Sequence, residues 1–159
     1  MNPIDPLQLR NAFGSFITGV TVVTCRDASG KAVGMTANSF SSVSLDPPLL
    51  LWSIAKTATN FEAFNAAEHF AIHILHSDQE QASRHFAAKN VDKFADYPHE
   101  AGVTDAPLLT DYSARFECEI EHRYPGGDHI ILVGRILAFD DRTKEPLVFF
   151  KGQYKQLVS

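Results

Sequence analysis

The chain has 159 residues, a hydrophobic fraction of 45%, a charged fraction of 21% and a formal net charge of -5 at pH 7. This length fits one domain, residues 1–159, whose core can be stable without a disulfide or a metal. The acidic balance, without a cluster of Lys or Arg, argues against a nucleic-acid or anionic-membrane surface, and no apolar run is long enough to cross a membrane.

Both the N-terminal residues and the two cysteines bear on the cellular compartment. The chain start lacks a basic stretch followed by an apolar core, so we expect no secretory signal and a cytoplasmic protein. Cys25 and Cys118 form no Cys-x-x-Cys pair. We expect reduced, buried thiols, although a disulfide between them is possible.

The first elements predicted in chain order are a helix and a hairpin. Asp5 followed by Pro6 is typical of a helix start, and apolar residues follow at helical spacing, so this helix should lie on the body of the protein. These residues are Leu9, Ala12, Phe13 and Phe16. A β-branched run at 20–25, turn residues at 27–30 and an extended segment at 34–45 then predict a hairpin.

Residues 36–43, which we call the polar wall, carry small hydroxyl and amide side chains where most strands have Val, Ile or aromatic residues. Small polar side chains let a flat polar ligand approach the backbone and offer it hydrogen-bond donors and acceptors. The alternative is an edge strand or a serine-rich loop. Physical chemistry alone leaves both interpretations open.

The remaining pattern predicts mostly strands with two further helices. Residues 49–54 form an apolar run that indicates a strand buried on both faces or lining a barrel interior, and further strands are predicted at 69–75, 114–121, 130–139 and 147–150. Thr59 with Glu62, and Ser77 with Glu80, fit capping boxes for the helices, the second ending near residue 89. Many short antiparallel strands joined by turns favour a barrel.

Three separate motifs resemble the short-chain flavin reductases, the reductase components of two-component flavin-dependent monooxygenases. They are residues 14–24 together with 34–48, Gly127-Asp128-His129, and residues 146–150. The resemblance implies a mainly β fold, a six-stranded antiparallel split β-barrel with peripheral helices, that forms a homodimer. It also implies bound FMN or FAD, NADH or NADPH as hydride donor, and a monooxygenase partner.

Matching the family motifs residue by residue gives the expected flavin contacts. These are Thr36, Ala37, Asn38, Ser39, Phe40, Ser42, Val43, Ser53, Thr57, Ala58, Thr59, Phe86, Ala87, Phe150 and Tyr154. No Rossmann or Walker fingerprint is present, so the flavin phosphate must be held by hydroxyls and backbone N–H groups, for which Thr57 and Thr59 are placed. Thr59 can alternatively serve only as a helix cap.

His129 is the expected contact for the nicotinamide, by analogy with the histidine of the family motif, and so is our candidate catalytic residue. Taken alone, a histidine after Gly-Gly-Asp is more often a turn residue that bonds to water or Asp128. Hydride transfer between two cofactors asks for alignment rather than acid–base work, so no general base is expected. His69 and His73 share a strand face without a completing carboxylate or cysteine, and no metal is expected.

The sequence therefore predicts an NAD(P)H:flavin oxidoreductase that supplies reduced flavin to a separate monooxygenase. One alternative is a split-barrel protein with tightly held FMN that acts as a one-component oxidoreductase or electron carrier. Another is a non-catalytic flavin- or haem-binding module. The absence of an Arg cluster for a 2′-phosphate favours NADH over NADPH.

Overall fold

A computed structural model describes residues 2–89 and 91–158. The helices are α1 (Pro6–Phe13), α2 (Phe61–Ala66) and α3 (Glu80–Ala87). The strands are β1 (Thr21–Arg26), β2 (Ala32–Ala37), β3 (Ser41–Leu45), β4 (Pro48–Ala55), β5 (His69–Ile74), β6 (His99–Glu100), β7 (Leu108–Leu109), β8 (Ala114–Gly126), β9 (His129–Asp141), β10 (Val148–Phe150) and β11 (Gln153–Lys155).

The fold is mainly β, as predicted, and its centre is an antiparallel sheet of seven strands in the order β2-β1-β5-β8-β9-β4-β3. The predicted count of six strands is not confirmed. The segment 34–45 was expected to be one strand, but residues 38–40 leave the ladder and divide it into β2 and β3. These two strands pair with different neighbours, β1 and β4.

The link between β2 and β3 shows that the sheet is strongly curled. β2 and β3 are the two edges of the seven-stranded order, yet only residues 38–40 join them. Three linking residues span at most about 15 Å, whereas the edges of a flat seven-stranded sheet would lie about 29 Å apart. The two edges therefore approach each other at the seam, our name for residues 38–40 and the adjoining strand ends.

The concave side of the curled sheet holds the main hydrophobic core. Trp52 is fully buried and packs edge-on against Phe64 of α2, with ring centroids 5.0 Å apart. Cys25 and Cys118 are free and buried in the same core, as expected, and burial raises the pKa of the Cys25 thiol to about 12. A thiol with so high a pKa stays protonated and behaves as a small apolar side chain.

Helix α1 begins as predicted but does not pack as predicted. The Asp5 carboxylate accepts hydrogen bonds from the backbone N–H groups of Leu7 and Gln8 at 2.8 and 3.3 Å. None of the helix residues is buried, and Phe13 and Phe16 are 70% and 79% exposed. The expectation that this helix packs on the body of the protein was wrong.

Both predicted capping boxes were also wrong. Helix α2 begins after Asn60 and α3 after Gln79, and neither cap residue bonds to its helix through its side chain. Tertiary contacts use these side chains instead: Asn60 donates to the carbonyl of Gly34, and Gln79 donates to the carbonyl of Asp111. Helix α3 ends at Ala87, two residues before the predicted end.

Two strands differ in detail from the sequence pattern. β4 is buried on one face only, since Leu50, Trp52 and Ile54 are buried while alternate residues are half-buried, which favours the interior-lining interpretation. In β8, Glu117 alternates with the apolar residues Phe116 and Cys118, a pattern that predicts a solvent-facing side chain, but Glu117 is buried. The loop before β7 lies against it: the Glu117 carboxylate accepts the Thr104 N–H at 3.1 Å and lies beside Gly102.

His73 joins three strands through its ring. Its Nδ1–H donates to the carbonyl of Val22 in β1, and its Nε2 accepts the N–H of Leu109 in β7, both at 3.0 Å. The side chain is completely buried, and desolvation lowers the pKa of His73 to about 4. A proton on Nε2 would remove the acceptor that Leu109 uses.

We therefore expect acid to destabilise the protein through His73. Because the folded-state pKa lies below the unfolded value near 6.5, the stabilisation is complete above about pH 6.5 and is lost as the pH falls toward 4. Between pH 7 and 4.5 this group should cost about 2–3 kcal/mol of unfolding free energy. Urea unfolding of wild type, His73→Gln and the exposed control His122→Gln at both pH values measures it.

Of the two variants, only His73→Gln should reduce the change in unfolding free energy between pH 7 and 4.5, whatever its stability at pH 7. An unchanged slope in His73→Gln, or an equal flattening in His122→Gln, would contradict this assignment.

Candidate functional site

The polar wall lies at the seam and remains accessible to solvent. Asn38, Ser42 and Val43 are exposed, whereas Thr36, Ala37, Ser39 and Phe40 are half-buried. Ala37 and Phe40 also pack against the main core, and none of the wall side chains is fully buried. The sequence segment predicted to receive a ligand is thus an open surface where the two edges of the sheet meet.

Hydrogen bonds fix the backbone of the wall on both sides of the seam. The Ser39 hydroxyl donates to the carbonyl of Ser53 and accepts its N–H, both at 2.9 Å. This pair of bonds continues the β3–β4 ladder past Ser41 and Leu51. On the other side, the Thr21 hydroxyl donates to the carbonyl of Ala37 at 2.7 Å. The small polar side chains therefore hold the wall in place as well as lining it.

Helix α3 and the C-terminal hairpin support the β2 end of the wall. The Thr36 hydroxyl donates to the carbonyl of Ser83 at 2.6 Å, and the Ser83 hydroxyl lies 2.6 Å from the hydroxyl of Tyr154. The Arg84 guanidinium lies over the Tyr154 ring, 4.8 Å from its centroid. Tyr154 is thereby connected to Thr36 through a single residue of α3.

Gly34 and Phe86 explain why β2 can approach α3 closely. Phe86 is fully buried, and a Cβ atom on Gly34 would lie 2.9 Å from its ring. Phe86 was expected to contact flavin, but its ring packs beneath β2 and exposes no area to a ligand. Ala87 is exposed at the end of α3, and Phe150 is half-buried in β10.

The loop at 56–59 and the Gly-Asp-His turn lie side by side. Ala55 pairs with His129 in the β4–β9 ladder, and the N–H of Lys56 donates to the carbonyl of Asp128 at 2.9 Å. Ser53, which holds the wall, is only two residues before Ala55. In the loop, Thr57 and Thr59 are exposed, and Ala58 packs against the core.

His129 and Asp128 form a hydrogen-bonded pair at this turn. The His129 Nδ1 lies 2.7 Å from Asp128 Oδ1, and the His129 side chain is 43% exposed. The hydrogen bond from His129 lowers the pKa of the Asp128 carboxyl below its ordinary value. Both interpretations of His129 are compatible with this arrangement, since the ring contacts Asp128 and also remains open to a ligand.

Lys93 was missed by the sequence analysis. Its Nζ donates to the carbonyl of Gly34 at 3.0 Å, beside the Asn60 amide that donates to the same oxygen. Burial lowers the pKa of Lys93 below its usual range. Lys93 lies in an irregular segment, where no periodicity relates it to β2, so only the folded structure could reveal this contact.

The residues at the seam fit a flavin. Residues 36–44 carry hydroxyl, amide and apolar side chains, including the aromatic Phe40, but no carboxylate, so they do not repel an anionic group. The hydroxyls of Thr57 and Thr59 are exposed in the neighbouring loop. Lys56 lies at the start of this loop, and Lys93 lies near its end, where it shares the Gly34 carbonyl with Asn60. The set thus offers a flat polar surface for a ring and hydroxyl donors for a phosphate.

Two open clefts lie away from the wall. One, of about 550 Å³, lies between the start of α3 and the C-terminal hairpin and includes Tyr154. The other, of about 300 Å³, lies between α3 and residues 97–111. Of the predicted flavin contacts only Tyr154 borders either cleft. Within the described ranges, no helix is both long and apolar enough to cross a membrane.

Comparison with known proteins gives consistent matches over nearly the whole chain. The model of the flavin reductase like domain matches residues 13–158. The chain is 46% identical over 150 residues to a probable flavin reductase of Rhizobium meliloti (strain 1021), covering 94% of this chain and 48% of that protein. It is 46% identical to the FMN reductase (NADH) SmoA of Agrobacterium fabrum, covering 92% of this chain and 83% of SmoA.

A solved structure matches equally well. The Streptomyces globisporus NADH:FAD oxidoreductase SgcE6, in complex with NAD and FAD fragments, has a TM-score of 0.90 and 39% sequence identity, and the match covers 99% of this chain and 98% of that one. The chain spans 48% and 65% of the length of two curated relatives from Rhizobium meliloti, the second a stachydrine N-demethylase reductase subunit.

Ser39 should matter for stability in a way that its neighbour Ser42 does not. Ser39→Ala removes both hydrogen bonds to Ser53 and leaves the N–H and carbonyl of Ser53 without these partners. This loss should lower the unfolding free energy by about 1–2 kcal/mol. Ser42→Ala changes an exposed side chain and should stay within about 0.5 kcal/mol of wild type. Urea unfolding at pH 7 compares them, and equal stability of the two variants would contradict the assigned bridge.

Proposed function

This chain belongs to the flavin reductase-like family, and from that premise we propose that it is an NAD(P)H:flavin oxidoreductase that reduces FMN or FAD. The reduced flavin would pass to a separate flavin-dependent monooxygenase. Relatives whose names state such roles support both steps, including the reductase component of a trigonelline monooxygenase from Acinetobacter baylyi. Free, buried cysteines suit the cytoplasm as its place of action.

One observation carries the proposal: the open polar wall at the seam is joined through β4 to the Gly-Asp-His turn. Ser39 bonds to Ser53, and two residues later Ala55 pairs with His129. A ring on the wall would therefore have His129 beside it. Two flat cofactors must be stacked together for hydride transfer, and this arrangement provides neighbouring surfaces for both.

For the fold we propose the split β-barrel of the family. The two edges of the sheet meet at the seam with a stagger. When the strand pairing is followed across the sheet to β9, Ala37 corresponds to Asp141, whereas Ser41 corresponds to Val133, eight residues away. Such a stagger between the first and last strands is what a closed or nearly closed barrel requires.

The flavin contacts carried over from the family fall into two groups around the seam. The ring and ribityl chain would lie on the wall, with Ser53 behind it; the contacts are Thr36, Ala37, Asn38, Ser39, Phe40, Ser42 and Val43. Thr57, Ala58 and Thr59 would hold the phosphate. When bound, the flavin supplies the acceptor for a hydride from the nicotinamide, and His129 would position the nicotinamide.

Ala87, Phe150 and Tyr154 would contribute at the α3 end of the wall. Tyr154 is tied to Thr36 through Ser83, so its position depends on the wall. Phe86 is fully buried and would act by supporting β2 from beneath.

We also propose that the protein is a homodimer in which α1 is covered by the second copy. A helix with no buried residue, followed by exposed Phe16 and Ile17, leaves an unusual amount of apolar surface in water. The end of this segment also contacts the wall, since the Asn38 amide donates to the Thr18 hydroxyl at 3.4 Å. The flavin site would therefore lie next to the subunit interface.

The activity is tested by NADH and NADPH oxidation with and without added FMN or FAD. Flavin-dependent turnover is expected, with NADH preferred. His129→Ala should raise KM for NADH about tenfold, because it removes a nicotinamide contact, while KM for flavin changes less than twofold. His122→Ala, an exposed histidine of the same hairpin, is the control.

No flavin-dependent turnover with either nucleotide would rule the proposal out. Flavin that co-purifies and does not exchange would favour the one-component alternative. An equal rise of both KM values in His129→Ala would reassign that residue to flavin binding or folding.

The homodimer is tested by sedimentation equilibrium. Phe13→Asp places a charge on the exposed apolar side of α1 and should raise the dimer dissociation constant at least tenfold. Asn11→Asp adds the same charge to the same helix at a polar position and should leave it within about twofold. A monomeric wild type, or equal weakening in both variants, would contradict the proposed interface.

A further inference from the structure

The pair formed by Asp128 and His129 has a property that the flavin reductase assignment does not use. A neutral imidazole carries one proton, which can sit on either ring nitrogen, and the other nitrogen is then an acceptor. An ionised carboxylate only accepts, so a contact of 2.7 Å between Asp128 Oδ1 and His129 Nδ1 requires the proton on Nδ1. The Nε2 lone pair is then free.

The backbone of Asp128 is held in a way that favours this contact. Gly127 has a φ of +66°, a left-handed conformation that suits glycine in a two-residue hairpin turn. The carbonyl of Asp128 accepts the N–H of Lys56 at 2.9 Å. The turn and this bond together fix where the carboxylate begins, although its side chain is 94% exposed.

We propose that Asp128 is a positioning residue that holds His129 as the Nδ1–H tautomer, so that Nε2 accepts a hydrogen bond from the carboxamide N–H of the nicotinamide. The carboxamide is the part of the nicotinamide that offers donors, and it adjoins the carbon that gives up the hydride. Recognition through Nε2 therefore aligns the ring as well as binding it. This proposal rests on the proposed function, because it assumes that the ligand at His129 is a reduced pyridine nucleotide.

Protonation of His129 should therefore reverse the ligand group that it prefers, from a hydrogen-bond donor to a hydrogen-bond acceptor. Imidazolium has two donors and no acceptor. It therefore cannot accept a hydrogen bond from a carboxamide N–H, but it can donate one to a carboxylate. The charged groups that act on the Asp128 carboxylate are the His129 imidazole and Lys56. The Lys56 ammonium offers donors only, so the change of hydrogen-bonding role belongs to the imidazole.

The tautomer is measured first, without any turnover. Long-range ¹H–¹⁵N spectra of the flavin-free protein, assigned with His129→Gln, should show a protonated Nδ1 and an unprotonated Nε2 at pH 8. Asp128→Ala should move the proton toward Nε2. Asp128→Asn carries an N–H donor as well as an acceptor oxygen, so it does not require the proton on Nδ1 and should move the proton toward Nε2 as well. Asp27→Ala, at the β1–β2 turn, removes a carboxylate that caps a different hairpin and should change nothing.

Steady-state kinetics then test recognition. Asp128→Ala and Asp128→Asn should each lower kcat/KM for NADH about fivefold with kcat nearly unchanged, the size of one lost hydrogen bond, while Asp27→Ala stays within about twofold. As the pH falls from 8 to 5.5, KM for NADH should rise in wild type. KM should fall over the same range for the reduced analogue that carries a carboxylate in place of the carboxamide.

A wild-type proton on Nε2, or an unchanged tautomer in Asp128→Ala, would overturn the positioning role even if the protein turns over NADH. A shifted tautomer with unchanged KM, or parallel pH profiles for the two nucleotides, would overturn recognition through Nε2. If the wild type does not oxidise NADH, the proposed function fails and recognition fails with it, whereas the tautomer result still decides the role of Asp128.

Discussion

The short link between β2 and β3 is the constraint on which the rest of the structure depends. Residues 38–40 connect the two edges of a seven-stranded sheet, so the sheet must curl until those edges nearly meet. The curl creates the concave interior that Trp52 and Phe64 fill. It also leaves one place where the backbone runs between two edges without a complete ladder, and there the chain carries small polar residues. Ser39 replaces the missing ladder bonds through its hydroxyl.

This arrangement explains why residues that resemble a loop in sequence line an open surface between the two sheet edges. An aliphatic side chain at Ser39 could not bond to both the N–H and the carbonyl of Ser53, and a larger residue at Gly34 would collide with Phe86. The same small side chains that let the seam form keep it open to a flat ligand. The stability of the seam and the proposed flavin binding therefore require the same residue types along the wall.

Much of the fold could be predicted from the sequence because local chemistry agrees with it. Asp5 caps α1, the turn at 27–30 joins β1 to β2, and the apolar run in β4 and the alternation in β8 predict strands. What failed depended on distant partners. The side chain of Gln79 bonds to residues 76 and 111 rather than to its own helix, and Glu117 is buried where its carboxylate accepts the Thr104 N–H. Neither contact leaves a periodic signal.

The candidate site was predicted through resemblance more than through physical pattern. Family motifs named the wall, the loop at 57–59 and His129, and the ladders bring the last two together through Ala55. Ser83 and Lys93 could not be found that way. Their roles come from contacts with Tyr154 and Gly34, which lie far from them in the sequence. Phe86 is the opposite case: the family motif predicts a flavin contact there, but the side chain is fully buried beneath β2.

Mapping FMN onto the chain by backbone amide chemical shifts tests the central claim most directly. Titration of the ¹⁵N-labelled protein with FMN should shift the amides of residues 36–43 and 57–59 first and most strongly, because the ring and phosphate would lie against them. Shifts concentrated instead around the cleft between the start of α3 and the C-terminal hairpin, with the wall unmoved, would contradict the account.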